Sequence, residues 1–143
     1  MDRVIVVGCP GSGRASFTRA LARIMEVAVL TTDEAPEGEG RWVVDGLRGD
    51  GLDPGLAACD AVVVLDPPAV VCLSRALVRP LLRNAGGDGA LEAVGQVWVF
   101  HWRERRRLMA HIETRAPHAV IARLRSRAAA GRWLARLAGV PLP

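Results

Sequence analysis

The first sign of chemistry in this sequence is a pair of glycines near its start, Gly8 and Gly13. Their spacing matches the pattern G-x-x-x-x-G-K-[ST], in which successive backbone N–H groups cradle a phosphate. Arg14 stands where that pattern has lysine, and Ala15 stands where it has the hydroxyl that binds a metal ion. The sequence therefore predicts the backbone frame of a phosphate-binding loop with two of its side-chain groups replaced.

The two replacements bear on chemistry more than on binding, since glycines let the backbone approach a phosphate without side-chain clashes. Arginine is longer and planar, so Arg14 is not equivalent to a lysine that follows the transferred phosphoryl group. Ser16 lies about 100° further around the helix than Ala15, so its hydroxyl cannot replace the missing one. The predicted phosphate-binding residues are Gly8, Gly11, Ser12, Gly13, Arg14, Ala15 and Ser16.

Carboxylates follow three apolar segments, at the positions where predicted strands end. Asp45 and Asp66 close two such segments, and Asp33 follows a shorter one. Because parallel strands bring their carboxyl ends to one edge of a sheet, these side chains are expected near the glycine loop. Without a hydroxyl at Ala15, a magnesium ion depends on Asp45, Asp66 and water. The alternative is an ordinary Asp-Gly turn at Asp45 and a strand stop at Asp66.

The elements that must position these residues alternate between strands and helices. Buried strands are predicted at Val4–Val7, Val27–Leu30, Arg41–Gly46, Ala61–Asp66 and Ala119–Leu124. Helical spacing is found at Ala15–Met25, Leu56–Cys59, Val70–Arg83 and Leu91–Thr114, and Ser126 caps a last helix that ends near Gly139. Pro80 is expected to kink or end its helix, and 84–89 is expected to be a loop. The alternation predicts an α/β fold with a parallel sheet covered on both faces.

Composition is that of a folded globular chain. It has 143 residues, of which 50% are apolar and 24% are charged, which fits one domain over 1–143. No apolar run reaches the roughly 20 residues that span a bilayer, so no membrane partner is expected. No signal peptide is visible, and three cysteines without paired spacing suit the cytoplasm. The three histidines show no ligand spacing with acids or cysteines, so no zinc site is predicted.

Positive charge is concentrated near the end of the chain. Residues 1–98 contain 9 arginines and 13 acids, whereas 99–143 contain 10 arginines and 2 acids, and the sequence has no lysine. A solvated arginine-rich helix face is the favoured explanation, and nucleic-acid binding is the alternative. Trp98, Phe100 and Trp102 within this region are expected to pack in the core and not to stack on bases.

Three segments carry a resemblance to a known family: 4–13 with its glycines, Trp42–Gly46, and the run Val63–Asp66 followed by Pro68. With them, the sequence resembles P-loop kinases of the adenylate-kinase-like group with a degenerate Walker A motif. More narrowly, it is similar to the bacterial proteins called DNA topology modulation protein, FlaR-like. The resemblance implies a three-layer P-loop NTPase core with a five-stranded parallel sheet that binds ATP together with Mg2+.

The resemblance also implies roles for individual residues. Asp45 would orient magnesium or the acceptor and form the catalytic pair with Arg14, and Asp66 would support the loop. The acceptor-binding insertion is nearly absent here, because only 34–41 separates Asp33 from Trp42. A short lid is expected near 75–89. The acceptor or lid residues implied are Asp33, Arg75, Arg79 and Arg83.

The predicted function is therefore a P-loop kinase-like protein that transfers phosphate from ATP, or from GTP, to a nucleotide or another small acceptor. The changes at Arg14 and Ala15 indicate an impaired enzyme, and the sequence leaves open whether turnover survives. The first alternative is a nucleotide-binding protein without catalysis. The second is an arginine-rich module that binds nucleic acid.

Overall fold

The computed structural model describes residues 1–9, 12–30, 40–46, 52–82 and 87–139, and at 79–82, 87–90 and 93 it describes the backbone alone. The strands are β1 (Arg3–Gly8), β2 (Val29–Leu30), β3 (Trp42–Asp45), β4 (Ala61–Leu65) and β5 (Val120–Leu124). The helices are α1 (Arg14–Met25), α2 (Leu52–Ala58), α3 (Ala69–Leu82), α4 (Gly87–Val99), α5 (Arg105–Arg115) and α6 (Arg127–Ala138). A π-helical turn, Phe100–Glu104, joins α4 to α5.

The strands form one five-stranded sheet in the order β2-β3-β1-β4-β5, and every neighbouring pair is parallel. The predicted α/β fold with a five-stranded parallel sheet is thus confirmed. β1 lies at the centre, so its carboxyl end is flanked by the ends of β3 and β4. Val6 pairs with Asp45 and Gly8 pairs with Leu65, which places the glycine loop between the two carboxylates that follow β3 and β4.

Alternate residues of the strands face opposite sides of the sheet, and each side buries its own core. Ile5 and Val7 face the side covered by α2 and α5, with Leu56 and Ile112 against them. Val4 and Val6 face the side covered by α1 and α6, where Leu21 packs. This alternation follows from the two-residue period of a strand, and both faces are apolar because helices cover both. The structure therefore has three layers.

Helix boundaries differ from the sequence prediction at α2, which covers Leu52–Ala58 instead of the predicted Leu56–Cys59, and in the second half of the chain. α3 continues through Pro80 to Leu82, and α4 begins at Gly87, inside the predicted loop 84–89, of which 84–86 lies outside the described residues. The predicted single helix Leu91–Thr114 is divided by the π-helical turn into the end of α4 and α5. α3 and α4 pack through a small apolar cluster that includes Cys72 and Val97. Packing of this kind overrides local helix-breaking preferences.

Candidate functional site

The glycine loop joins β1 to α1 at the centre of the sheet. Gly8 ends β1, and a Cβ added to it would lie 2.9 Å from the carbonyl oxygen of Leu65, so this position excludes side chains. Gly13 has φ 81°, a left-handed conformation that favours glycine, and directly precedes the first residue of α1. The loop turns back on itself through a hydrogen bond of 3.1 Å that the amide of Ser12 donates to the carbonyl of Cys9.

The first turn of α1 presents hydrogen-bond donors to this loop. The first backbone amide to donate to the preceding turn is that of Phe17, to the carbonyl of Gly13 at 3.0 Å, and no side chain caps the helix. The hydroxyl of Ser12 is buried without a hydrogen-bond partner among the described residues. Unpaired amides at a helix N-terminus bind anions. These groups therefore fit a phosphate, whereas Gly11 lies outside the described residues.

Arg14 and Asp45, the predicted catalytic pair, are bound to each other. The Nε of Arg14 lies 2.6 Å from Oδ1 of Asp45, and the side chains are only 27% and 16% exposed. Nη1 of Arg14 also donates to the carbonyl of Gly8 at 3.3 Å. The guanidinium lies over Gly46, where a Cβ would approach it to 3.0 Å, and Gly46 has φ 69°. Arg14 therefore reaches across the sheet edge towards β3.

Asp66 is held by two arginines from different elements. Its side chain is 3% exposed, and Arg105 of α5 donates to it from Nη2 at 2.8 Å. Arg123 of β5 donates to the same carboxylate from Nε at 2.7 Å. The arrangement fixes α5 and β5 to the end of β4, as a structural ion-pair network does.

The donor set at this edge does not fit a magnesium ion. Asp45 is paired with Arg14, Asp66 is enclosed by two guanidinium groups, and Ala15 offers no hydroxyl. Ser16 is exposed on the helix surface, and the hydroxyl of Thr18 donates to the carbonyl of Arg14 at 2.7 Å. The metal role of both carboxylates remains a prediction from the sequence, and these ion pairs compete with it.

Of the predicted acceptor or lid residues, Arg75 lies beside the glycine loop. A Cβ added to Gly13 would be 3.7 Å from Nη1 of Arg75, which places this guanidinium at the point where α1 begins. Arg79 is in α3, but only its backbone is described. Asp33 and Arg83 lie outside the described residues, so their roles stay predictions.

A cleft of about 810 Å³ opens beside the loop, between the carboxyl ends of β1 and β3 and the helices α4 and α5. Gly8, Arg14 and Gly46 form one wall. The opposite wall includes the polar side chains Gln96, Glu104, Arg107 and His111 together with Val99, Phe100 and Leu108. His111 is paired with Asp53 of α2. The cleft has the size of a small-molecule site, and sequence analysis missed these residues because their helices have no motif.

Two cysteines and a histidine meet beside the glycine loop. The Sγ atoms of Cys9 and Cys72 are 2.6 Å apart, and the ligand atoms of Cys9, Cys72 and His101 all lie within 4.8 Å of one another. Their hydrogen bond, with help from His101, lowers the pKa of Cys72, whereas the same bond and then burial raise the pKa of Cys9. The sequence shows no ligand spacing for the histidines, and the contact of His101 with the two cysteines was not visible there because linear spacing does not report contacts between distant segments.

The tryptophans of this region do not pack as predicted. Trp98 and Trp102 are 57% and 69% exposed, and their rings contact each other with centroids 5.4 Å apart. Only Phe100 of the trio is buried. The two tryptophans lie one helical turn apart on the solvent side of α4 and the π-helical turn, so the core prediction was wrong for them.

No protein-family model matches this chain, and no curated protein matches it. Among solved structures, it is similar to shikimate kinase from Acinetobacter baumannii in complex with shikimate, with a TM-score of 0.59. The match covers 96% of this chain and 90% of that chain at 16% sequence identity. That neighbour is a P-loop kinase of the adenylate-kinase-like class, and the chain has its α/β fold. Among the described residues, no helix has the length and apolar character to span a membrane.

Proposed function

We propose that this chain is a P-loop kinase-like protein of one domain that binds ATP or GTP at the glycine loop. The observation that carries the proposal is the loop itself, with Gly8 and Gly13 at the centre of the sheet and the guanidinium of Arg75 beside them. The buried hydroxyl of Ser12 adds a donor that has no hydrogen-bond partner in the described part of the chain. Amides and guanidinium groups bind phosphate oxygens through charge-assisted hydrogen bonds. The resemblance to FlaR-like proteins and the degenerate Walker A motif are part of this proposal.

The proposed reaction is transfer of the terminal phosphoryl group to a small acceptor in the cleft. In P-loop kinases this transfer relies on positioning and on neutralising charge, with magnesium supplying much of the neutralisation. Arg14 is the cation at the position where P-loop kinases have lysine. Arg107, on the opposite wall of the cleft, suits an acceptor with a carboxylate or phosphate group. Shikimate, which the similar kinase binds, is a small carboxylate of this kind.

The pairing of Arg14 with Asp45 favours a slow or impaired enzyme. A guanidinium held at 2.6 Å by a carboxylate is not free to follow the phosphoryl group, and the carboxylate is not free to order a metal ion. The same observation supports the second candidate, a nucleotide-binding protein that has lost catalysis. The two candidates share the binding site and differ only in turnover.

Nucleotide binding can be tested with two glycine variants that carry the same backbone strain. Gly13 and Gly139 have φ 81° and 74°, and neither would bring a Cβ closer than 3.7 Å to another residue. Valine at either position costs about 1–2 kcal/mol of folding stability, because a side chain disfavours the left-handed region. Gly139 ends α6, far from the loop in sequence, so Gly139→Val serves as the matched control.

We expect millimolar ATP or GTP to raise the melting temperature of the wild type and of Gly139→Val, because a ligand that binds the folded state stabilises it. Gly13→Val should melt at a temperature like that of Gly139→Val but show no shift with nucleotide. An unchanged wild-type melting curve, or equal shifts in both variants, would contradict binding at the loop. A product assay with ATP and small carboxylate or nucleotide acceptors then separates the two candidates.

A further inference from the structure

We propose that Cys9, Cys72 and His101 form a binding site for a zinc ion that ties the glycine loop to α3 and the π-helical turn. Each residue comes from a different part of the chain: Cys9 directly follows β1, Cys72 is in the first turn of α3, and His101 is in the π-helical turn. The three ligand atoms lie within 4.8 Å of one another, and both cysteines are buried. Among the described residues, these are the three side chains of metal-binding types whose ligand atoms lie close enough together to share one ion.

Zinc is the metal whose preferences this donor set meets. Two sulfurs and one imidazole nitrogen are borderline-soft ligands, and zinc binds Cys and His at about 2.0–2.3 Å in a tetrahedron. Such a tetrahedron sets two sulfurs about 3.8 Å apart, so the thiols must separate by about 1.2 Å from their present 2.6 Å. Three protein ligands leave a fourth position for water or another ligand, as in zinc sites that do chemistry.

Charge balance agrees with the surroundings of the site. Cys9 and Cys72 belong to an apolar cluster with Ala76, Val97 and Phe100. Zinc with two thiolates and a neutral imidazole has no net charge, so it can be buried there without an unpaired ion. Metal binding would release the protons of both thiols, so zinc affinity should fall as the pH is lowered.

The position of His101 is a second, independent observation in favour of a metal site. Its Nε2 atom is buried without a hydrogen-bond partner among the described residues. His101 lies in the π-helical turn, which interrupts what is otherwise a continuous helical run from α4 to α5. Turns of this type occur frequently at functional sites, because they redirect side chains from the helix face that carries them.

The site lies next to the glycine loop and does not depend on nucleotide binding. Cys9 directly follows Gly8, so a metal bound there would hold the first residue of the loop. The test therefore uses the full chain, reduced and stripped of metal with a chelator, in the absence of nucleotide. Zinc is titrated against a competing chromophoric chelator, and Co2+ is used as a spectroscopic probe of thiolate ligation and tetrahedral geometry.

The chain provides matched controls for both kinds of ligand. Cys59 is a third buried cysteine, whose thiol donates to the carbonyl of Leu56 at 3.3 Å and whose pKa is raised by burial to about 11. His118 contacts the carbonyl of Cys59 at 3.1 Å and is not part of the cluster. Cys59→Ser and His118→Gln should bind zinc like the wild type. Cys72→Ser and His101→Gln should bind it at least about 100-fold more weakly, because losing a ligand costs more than the roughly 10–100-fold of losing a group that orients one.

We expect the wild type to bind one equivalent of zinc. With Co2+ in its place, we expect the wild type to show thiolate-to-cobalt absorption bands. The cobalt spectrum is read in the wild type, so the proposal stays testable even if a cysteine variant fails to fold. Absence of zinc binding by the reduced wild type overturns it, as does equal loss in the Cys59→Ser control. A chain that binds no zinc but becomes about two mass units lighter in air, through a Cys9–Cys72 disulfide, also overturns it.

Discussion

Replacing Arg14 with lysine and Ala15 with threonine should tighten the binding of ATP in the presence of magnesium. In the wild type, a metal ion that approaches Asp45 must displace the guanidinium of Arg14, whose Nε is 2.6 Å from Oδ1. Threonine restores the hydroxyl that ligates magnesium in P-loop enzymes, and lysine is shorter and more compact than arginine. The double variant therefore relieves the competition for Asp45 and adds a ligand.

The size of the effect follows from the Arg14–Asp45 contact. The two side chains form an ion pair, and ion pairs contribute from about 1 kcal/mol when exposed to about 3 kcal/mol when buried. With the side chains 27% and 16% exposed, water screens part of this, so the lower end of that range applies. About 1.4 kcal/mol corresponds to a tenfold change in affinity, so we expect the double variant to bind ATP with magnesium about tenfold more tightly.

The assay is calorimetry of ATP binding with magnesium and, separately, with a chelator. α1 offers a control in the dipeptide Arg19-Ala20, which has the same sequence as Arg14-Ala15 but lies further along the helix. Arg19→Lys with Ala20→Thr repeats the chemical change away from the loop and should leave the affinity at the wild-type value. Adding Asp45→Asn to the Arg14 double variant should remove its magnesium dependence.

Equal affinity in the wild type and the Arg14 double variant would refute the competition argument. Phosphoryl transfer measured on both proteins decides the remaining question. A wild type that turns over and is slowed by the double substitution would mean that the site has adapted to Arg14, and the proposal of an impaired enzyme would be wrong. Tighter binding by the variant beside an inactive wild type would support the non-catalytic alternative.

Further predictions concern the ion pairs and the basic half of the chain. Asp66→Asn should destabilise the fold by about 2–3 kcal/mol in chemical denaturation. This is less than the roughly 3–5 kcal/mol lost when a fully buried pair is broken, because Arg123 is 40% exposed. An unchanged denaturation midpoint would contradict a stabilising role of the ion pairs. Asp60 accepts hydrogen bonds from the amides of Asp2 and Arg3, which lower its pKa. Its contribution is present above the ordinary pKa of 3.8 and is lost as the pH falls through the lowered value, so wild type and Asp60→Asn should differ by under about 1 kcal/mol at pH 7 and converge in acid. Binding to duplex DNA should be weak and should fade as salt rises, since Arg105 is engaged with Asp66, and tight binding at high salt in a filter or gel assay would favour the nucleic-acid alternative.

Local pattern was sufficient to predict the strands and the glycine loop. Short β-branched runs such as Val62–Val64, bounded by turn residues, are typical of buried strands. All five strands were therefore predicted within about two residues of their bounds. The caps were equally local: Ser126 accepts the amide of Ala129 at 3.0 Å, and Gly139 ends α6 with φ 74°. Helix boundaries were less predictable: α2 begins four residues before the predicted start, and packing between α3 and α4 decided the bounds after Leu65.

The sequence by itself determined the order of elements and the backbone frame of the glycine loop, because hydrophobic period and glycine spacing act over a few neighbouring residues. It also named Arg14, Asp45 and Asp66, but it could not say that the first two bind each other or that arginines enclose the third. Only the tertiary structure brought Cys9, Cys72 and His101 together. The reason is physical: ion pairs and ligand clusters form between segments that the sheet order and helix packing make adjacent, and no local pattern encodes that adjacency.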